Sequence, residues 1–201
     1  MRVLANTLGL VALLIAPAEA RELAVADVTP QGVACVFSKA CAVTPTDSYG
    51  IVKLFGNGGD GRLLTRTYPG LPGTPGAGLT GYSLQLDLSD SMALGAANCV
   101  ERLTIDAGPL APLVYAGKGS ADVFVVKEQG VIGLSSVTQA GGKLTFVFAR
   151  PICPKPSGYA ASGASRTAYF GFAAKGAPVP AKAQVAATIE GSAADVRVPK
   201  H

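Results

Sequence analysis

The chain has 201 residues, of which 49% are hydrophobic and only 15% charged, with a net charge of +4, 25 glycines, 14 prolines, no tryptophan and a single histidine. The basic residues are scattered singly, so the stripe that a phosphate backbone requires is missing and nucleic acid is not an expected partner. The one histidine is the terminal His201, a poor candidate for the base that serine-dependent hydrolysis needs.

The first 20 residues, MRVLANTLGLVALLIAPAEA, carry one cation at Arg2, an apolar run from Leu8 to Ile15 and the ending Ala18-Glu19-Ala20. This is the layout of a secretory signal peptide cut before Arg21. The apolar run is about half of the roughly 20 residues a membrane-spanning helix uses, and no later segment is longer and as apolar. Residues 21–201 are therefore expected as one exported domain, periplasmic or extracellular, without a transmembrane anchor.

Four cysteines follow, an even number in a chain directed to an oxidising compartment. Cys35 and Cys41 bracket a short loop and are expected to pair with each other. That leaves Cys99, just before the strand-like VERLTID, for Cys153, just after the strand-like KLTFVFA; antiparallel neighbours would bring the start of one to the end of the other. Such a crosslink contributes on the order of 4 kcal/mol on the chain-entropy model. No CxxC spacing accompanies them, so zinc is not expected.

Residues 51–55, IVKLF, are apolar almost continuously and suit a central strand. The GNGGDG that follows, Gly56 to Gly61, satisfies the dinucleotide pattern GxGxxG literally. Its context is wrong for that use: Asp60 puts negative charge in the loop, and RLLTRTY runs on into Pro69 without the helix that would face a pyrophosphate. A hairpin turn is expected instead, with the glycines and Asn57 supplying positive φ. Asn57 and Asp60 also offer oxygens to calcium, a weak candidate because calcium loops place several acids at alternate positions.

Residues 68–81 form a Gly/Pro-rich stretch whose GLPGTPGAG keeps glycine every third residue too briefly for a triple helix, so it is expected as a long exposed loop. In residues 82–88, YSLQLDL, apolar residues alternate with polar ones, the mark of a strand with one buried face. Residues 88–97, LSDSMALGAA, are the one place where a short helix is expected, capped by Ser89 or Ser91. Val123 to Val126 reads as a second central strand. Alternation returns at residues 143–148, 167–172 and 182–189, and residues 151–166 form a second long loop. The final Ala194 to Val198 reads as a last strand, either completing its own sheet or offering an edge to another chain.

Strands parted by Gly and Pro at short intervals predict an all-β fold, an antiparallel β-sandwich of jelly-roll or immunoglobulin-like kind. The chemistry is less defined. GxSxG, HExxH and the Asp-Thr/Ser-Gly of aspartic proteases are all absent, and no cofactor is implied. Tyr68 and Tyr159, placed in the two long loops, are the candidate aromatic platforms for a ligand such as a glycan; packing beneath their loops is the simpler role. The expected function is a non-enzymatic exported protein, binding or structural, whose partner is an envelope or extracellular polymer or another protein. The alternative is a small secreted hydrolase using two carboxylates.

Overall fold

The computed structural model describes residues 20–115, 119–126, 131–156 and 165–201. The signal-peptide reading of residues 1–20 thus falls almost wholly outside the described residues, as does Tyr159. In chain order the elements are β1 (Arg21–Glu22), β2 (Val25–Val28), α1 (Pro30–Phe37), β3 (Thr46–Val52), β4 (Asn57–Gly58), β5 (Gly61–Pro69) and β6 (Thr80–Asp87). They continue with β7 (Met92–Ala93), β8 (Val100–Asp106), β9 (Leu113–Val114), β10 (Ser120–Ala121), β11 (Val123–Val126) and β12 (Leu134–Ala140). The last five are β13 (Lys143–Ile152), β14 (Lys155–Pro156), β15 (Phe170–Ala174), β16 (Pro178–Ala187) and β17 (Ser192–Pro199).

Two six-stranded sheets carry the fold, in the orders β1-β12-β13-β8-β16-β17 and β2-β11-β15-β6-β5-β3. Pairing in both is antiparallel apart from β2 with β11. The protein is an all-β sandwich, as its alternating pattern predicts. Tyr82, Leu84, Leu86 and Leu88 are all buried, and they meet Leu144, Phe146 and Phe148 of the facing sheet in one apolar layer. Phe170 crosses that layer, with ring centroids 4.8 Å from Phe146 and 5.9 Å from Phe148.

Both disulfides join the expected partners, Cys35–Cys41 and Cys99–Cys153. The second follows from strand register: β8 and β13 are antiparallel neighbours with Val100 opposite Ile152, so the cysteines one residue beyond each meet.

The short helix is not where the pattern places it. Residues 88–97 form turns around β7, which is drawn out as a strand because Met92 and Ala93 bridge β4 on one side and β14 on the other. The helix is α1, and its signals are local. Thr29 caps it by accepting from the Gly32 N–H at 3.2 Å, and Pro30 fills the first turn, where its missing N–H costs nothing.

The expectation of a central strand at residues 51–55 is also corrected. β3 ends at Val52 and lies at the margin of its sheet, with Ile51 and Phe55 exposed. Val123 to Val126, by contrast, is an interior strand buried along its whole length.

GNGGDG does turn one strand back into the next, since β3 pairs with β5 down to Val52 opposite Gly61. Positive φ is taken up by Gly56 (77°) and Gly59 (72°) and not by Asn57. The stretch after β5 is more tightly held than a free loop. The N–H groups of Leu71 and Gly76 donate to the carbonyls of Phe37 and Val36 at 3.1 and 2.8 Å, filling acceptors left open at the end of α1.

Candidate functional site

The sandwich has a third layer. Along β11 alternate residues face opposite ways, so Val123 and Val125 join the inter-sheet core while Phe124 and Val126 point outward. Helix α1 lies on that outward face and buries Val33, Val36 and Phe37 against it, forming a second apolar cluster. Cys35–Cys41 then fastens the helix to the segment that leads into β3. The sheet is thus covered on both faces over part of its area, which is why Ser83, a polar position of an alternating strand, is buried.

Where the helix leaves the sheet, a cleft of about 280 Å³ opens between them, at the small end of ligand sites. Its apolar side is formed by Phe124 and Val126 below and by Val33, Ala34 and Val43 above. Its polar side is formed by Arg66 and Tyr68 of β5, Ser83 of β6, and Tyr169 just before β15. Arg66 and Tyr68 are two apart on one strand and so project from the same face.

The polar groups hold one another in place. The Arg66 guanidinium carbon stands 5.0 Å from the centroid of the Tyr169 ring, in range for a cation–π contact. Asp47, directly across the β3–β5 ladder, holds Arg66 Nε with Oδ1 at 3.2 Å and Oδ2 at 3.3 Å. The Tyr68 hydroxyl is hydrogen-bonded to Ser83, and its ring stacks on Phe37 at 6.1 Å. Burial raises the Tyr68 phenol above its ordinary pKa, with the Ser83 hydrogen bond and the Arg66 charge opposing the shift. The guanidinium of Arg66 is raised as well, since the nearby Tyr169 and Asp47 outweigh its loss of solvent.

The structure treats the candidate residues differently. Tyr68 lies on β5 and lines the cleft, half-buried; it is not a loop platform. Asn57 uses its side-chain amide on the backbone of Asn98, while Asp60 is exposed on the turn. Among the described residues no group of three or more His, Cys, Asp or Glu side chains gathers as a metal site would.

Arg66, Ser83 and Tyr169 carry no sequence signal for this role. Ser83 and Tyr169 are marked only by their apolar strand neighbours and Arg66 not even by those, since it stands between Thr65 and Thr67; their meeting depends on pairing between strands distant in the chain. Comparison with known proteins finds no matching family model, curated protein or solved structure.

Proposed function

We propose that this chain is an exported, non-enzymatic binding protein of the periplasm or extracellular space, and that its ligand occupies the cleft between α1 and the sheet. The observation that carries this reading is the convergence of the Arg66, Tyr68, Ser83 and Tyr169 polar groups on one side of an apolar cleft whose roof is stapled by Cys35–Cys41. A few placed polar groups against an apolar wall is the usual chemistry of a small-ligand site. Two disulfides suit an oxidising compartment, and no helix among the described residues is long and apolar enough to cross a membrane.

A carboxylate hydrolase has less support. No acid lines the cleft, and four carboxylates are each committed to a cation: Asp47 to Arg66, Asp90 to Arg62, Asp122 to Arg21 and Asp195 to Lys182.

The test is saturation binding of a small neutral amphiphile, hexanamide, followed by amide chemical shifts. Shifts confined to α1, β5, β6 and β11, and lost in the cleft-filling variant Ala34→Phe, are the expected result. Binding that is unchanged by Ala34→Phe would overturn the assignment of the cleft.

A further inference from the structure

Resting on the reading of this cleft as a ligand site, we infer that it selects a short alkyl carboxylate, held by the two terminal nitrogens of Arg66 with its chain along Phe124 and Val126. The guanidinium is fixed on one side only. Asp47 takes Nε, the Tyr169 ring lies 5.0 Å from the guanidinium carbon, and neither Nη shows an acceptor among the described residues, Asp47 bonding Nε alone. A guanidinium with its Nε anchored and both terminal nitrogens open is a planar fork matched to the two oxygens of a carboxylate. It is also prepaid in orientation, because its rotamer is held before any ligand arrives.

Other ligand classes fit less well. A sugar would stack on an aromatic face, but Tyr68 already faces Phe37 and Tyr169 already faces Arg66. A cation would find no carboxylate in the lining. The remaining polar contributors are hydroxyls, and that of Tyr68 is already engaged with Ser83. What the cleft offers is donors at one end and hydrocarbon at the other. At about 30 Å³ for each water- or methylene-sized group, the 280 Å³ holds roughly nine such groups, which suits a chain of about six carbons. Asp47 neutralises the site at a distance, so selectivity comes from the fork at contact range and not from long-range attraction.

The experiment compares hexanoate with hexanamide, which shares its length but has no charge, by calorimetry on the purified disulfide-bonded protein. Hexanoate is expected to bind at least tenfold more tightly, the usual margin of a charge-assisted hydrogen bond over a neutral one. Arg66→Gln should remove that preference, leaving hexanoate no tighter than hexanamide in the same variant. Asp47→Asn should keep an acceptor for Nε, remove a competing charge and tighten hexanoate several-fold without changing hexanamide. N-acetyl-leucinate, whose peptide amide finds no partner on the apolar wall, should bind more weakly than hexanoate.

Arg66 and Asp47 are each about a third exposed, so both variants are expected to fold, which circular dichroism verifies. If hexanamide binds in the cleft as tightly as hexanoate, or if Arg66→Gln keeps the preference, the carboxylate inference falls and the cleft reading stands. Tighter binding of N-acetyl-leucinate would overturn the alkyl-acid assignment in favour of a peptide terminus. If Ala34→Phe binds both six-carbon probes unchanged, the cleft reading falls with it.

Discussion

The side-chain amide of Asn57 grips the backbone of Asn98 at both ends, its Nδ2 donating to the Asn98 carbonyl at 3.0 Å and its Oδ1 accepting from the Asn98 N–H at 3.3 Å. Asn98 is itself fully buried. Its Nδ2 donates to the carbonyls of Phe55 at 3.3 Å and Glu190 at 2.9 Å, and its Oδ1 accepts from the Ile189 N–H at 2.9 Å. Two turns from opposite sheets are thus tied together beside the Cys99–Cys153 bridge. Asn98→Ala leaves three backbone groups unpaired and is expected to cost about 2–4 kcal/mol, against about 1 kcal/mol for Asn57→Ala, whose site is only half-buried. Urea unfolding of the two variants checks the order; equal losses would mean that water replaces the buried amide.

Gly50 of β3 passes so close to β17 that a methyl group there would run into the backbone carbonyl of Asp195. Backbone has no rotamer to yield with, so Gly50→Ala is expected to cost more than the 1–3 kcal/mol typical of overpacking and to lower the yield of folded protein. Gly133→Ala, with open space around the new carbon, is the matched control and should stay near wild-type stability. Thermal melts of both separate the close approach from a general intolerance of alanine.

The two disulfides close chain segments of very different length, 54 residues apart for Cys99–Cys153 and 6 for Cys35–Cys41. The chain-entropy model assigns about 4 kcal/mol to the first and about 2 kcal/mol to the second. Paired alanine replacement at 99 and 153 should therefore lower global stability about twice as far as replacement at 35 and 41. The latter should instead raise hydrogen exchange selectively in α1 and weaken hexanamide binding, because it frees the roof of the cleft.

Alkaline pH should destabilise the fold before it harms the disulfides. The Tyr82 hydroxyl donates to the Gly176 carbonyl at 3.2 Å, and burial pushes its pKa up to about 12, a shift that the Thr80 hydrogen bond reduces. A phenol raised in the folded state contributes stability that is whole below pH 10, where the unfolded tyrosine is still protonated. That stability is lost as pH climbs from 10 towards 12, by about 3 kcal/mol for this residue at about 1.4 kcal/mol per pH unit. Tyr68 shifts in the same direction and adds to the fall. Denaturant midpoints at pH 8 and pH 11 should show Tyr82→Phe losing less than the wild type over that interval.

The inter-sheet core was legible where its strands obey a period of two: Tyr82, Leu84, Leu86 and Leu88 need no tertiary information to be assigned to one face. The Cys99–Cys153 pairing was legible for the same reason, as a consequence of two strands lying side by side. Helix α1 was hidden by Gly32 and by the β-branched Val33 and Val36, which lower helical propensity, although the Thr29 cap and Pro30 announced it. The cleft was hidden by a different cause. Ser83 looks solvent-facing until a helix from elsewhere covers it, and Arg66 looks like one of many isolated cations until Tyr169 comes beneath it. Tyr68 was noticed for the wrong reason, as a residue of a loop that in fact begins after β5.

The approach of Gly50 to Asp195 also bears on how the molecule meets its own kind. β3 and β17 are the marginal strands of the two sheets on one side of the sandwich, and their contact shuts that side. On the opposite side the chain steps from β1 in one sheet to β2 in the other through Leu23 and Ala24 alone. β17 is hydrogen-bonded to β16 alone, and the close passage of Gly50 against Asp195 places β3 beside the outer edge of residues 194–198, where an incoming strand would have to pair. The purified protein is therefore expected to run as a single species in size exclusion, and Gly50→Ala, which forces β3 away from Asp195, to shift part of it to larger species.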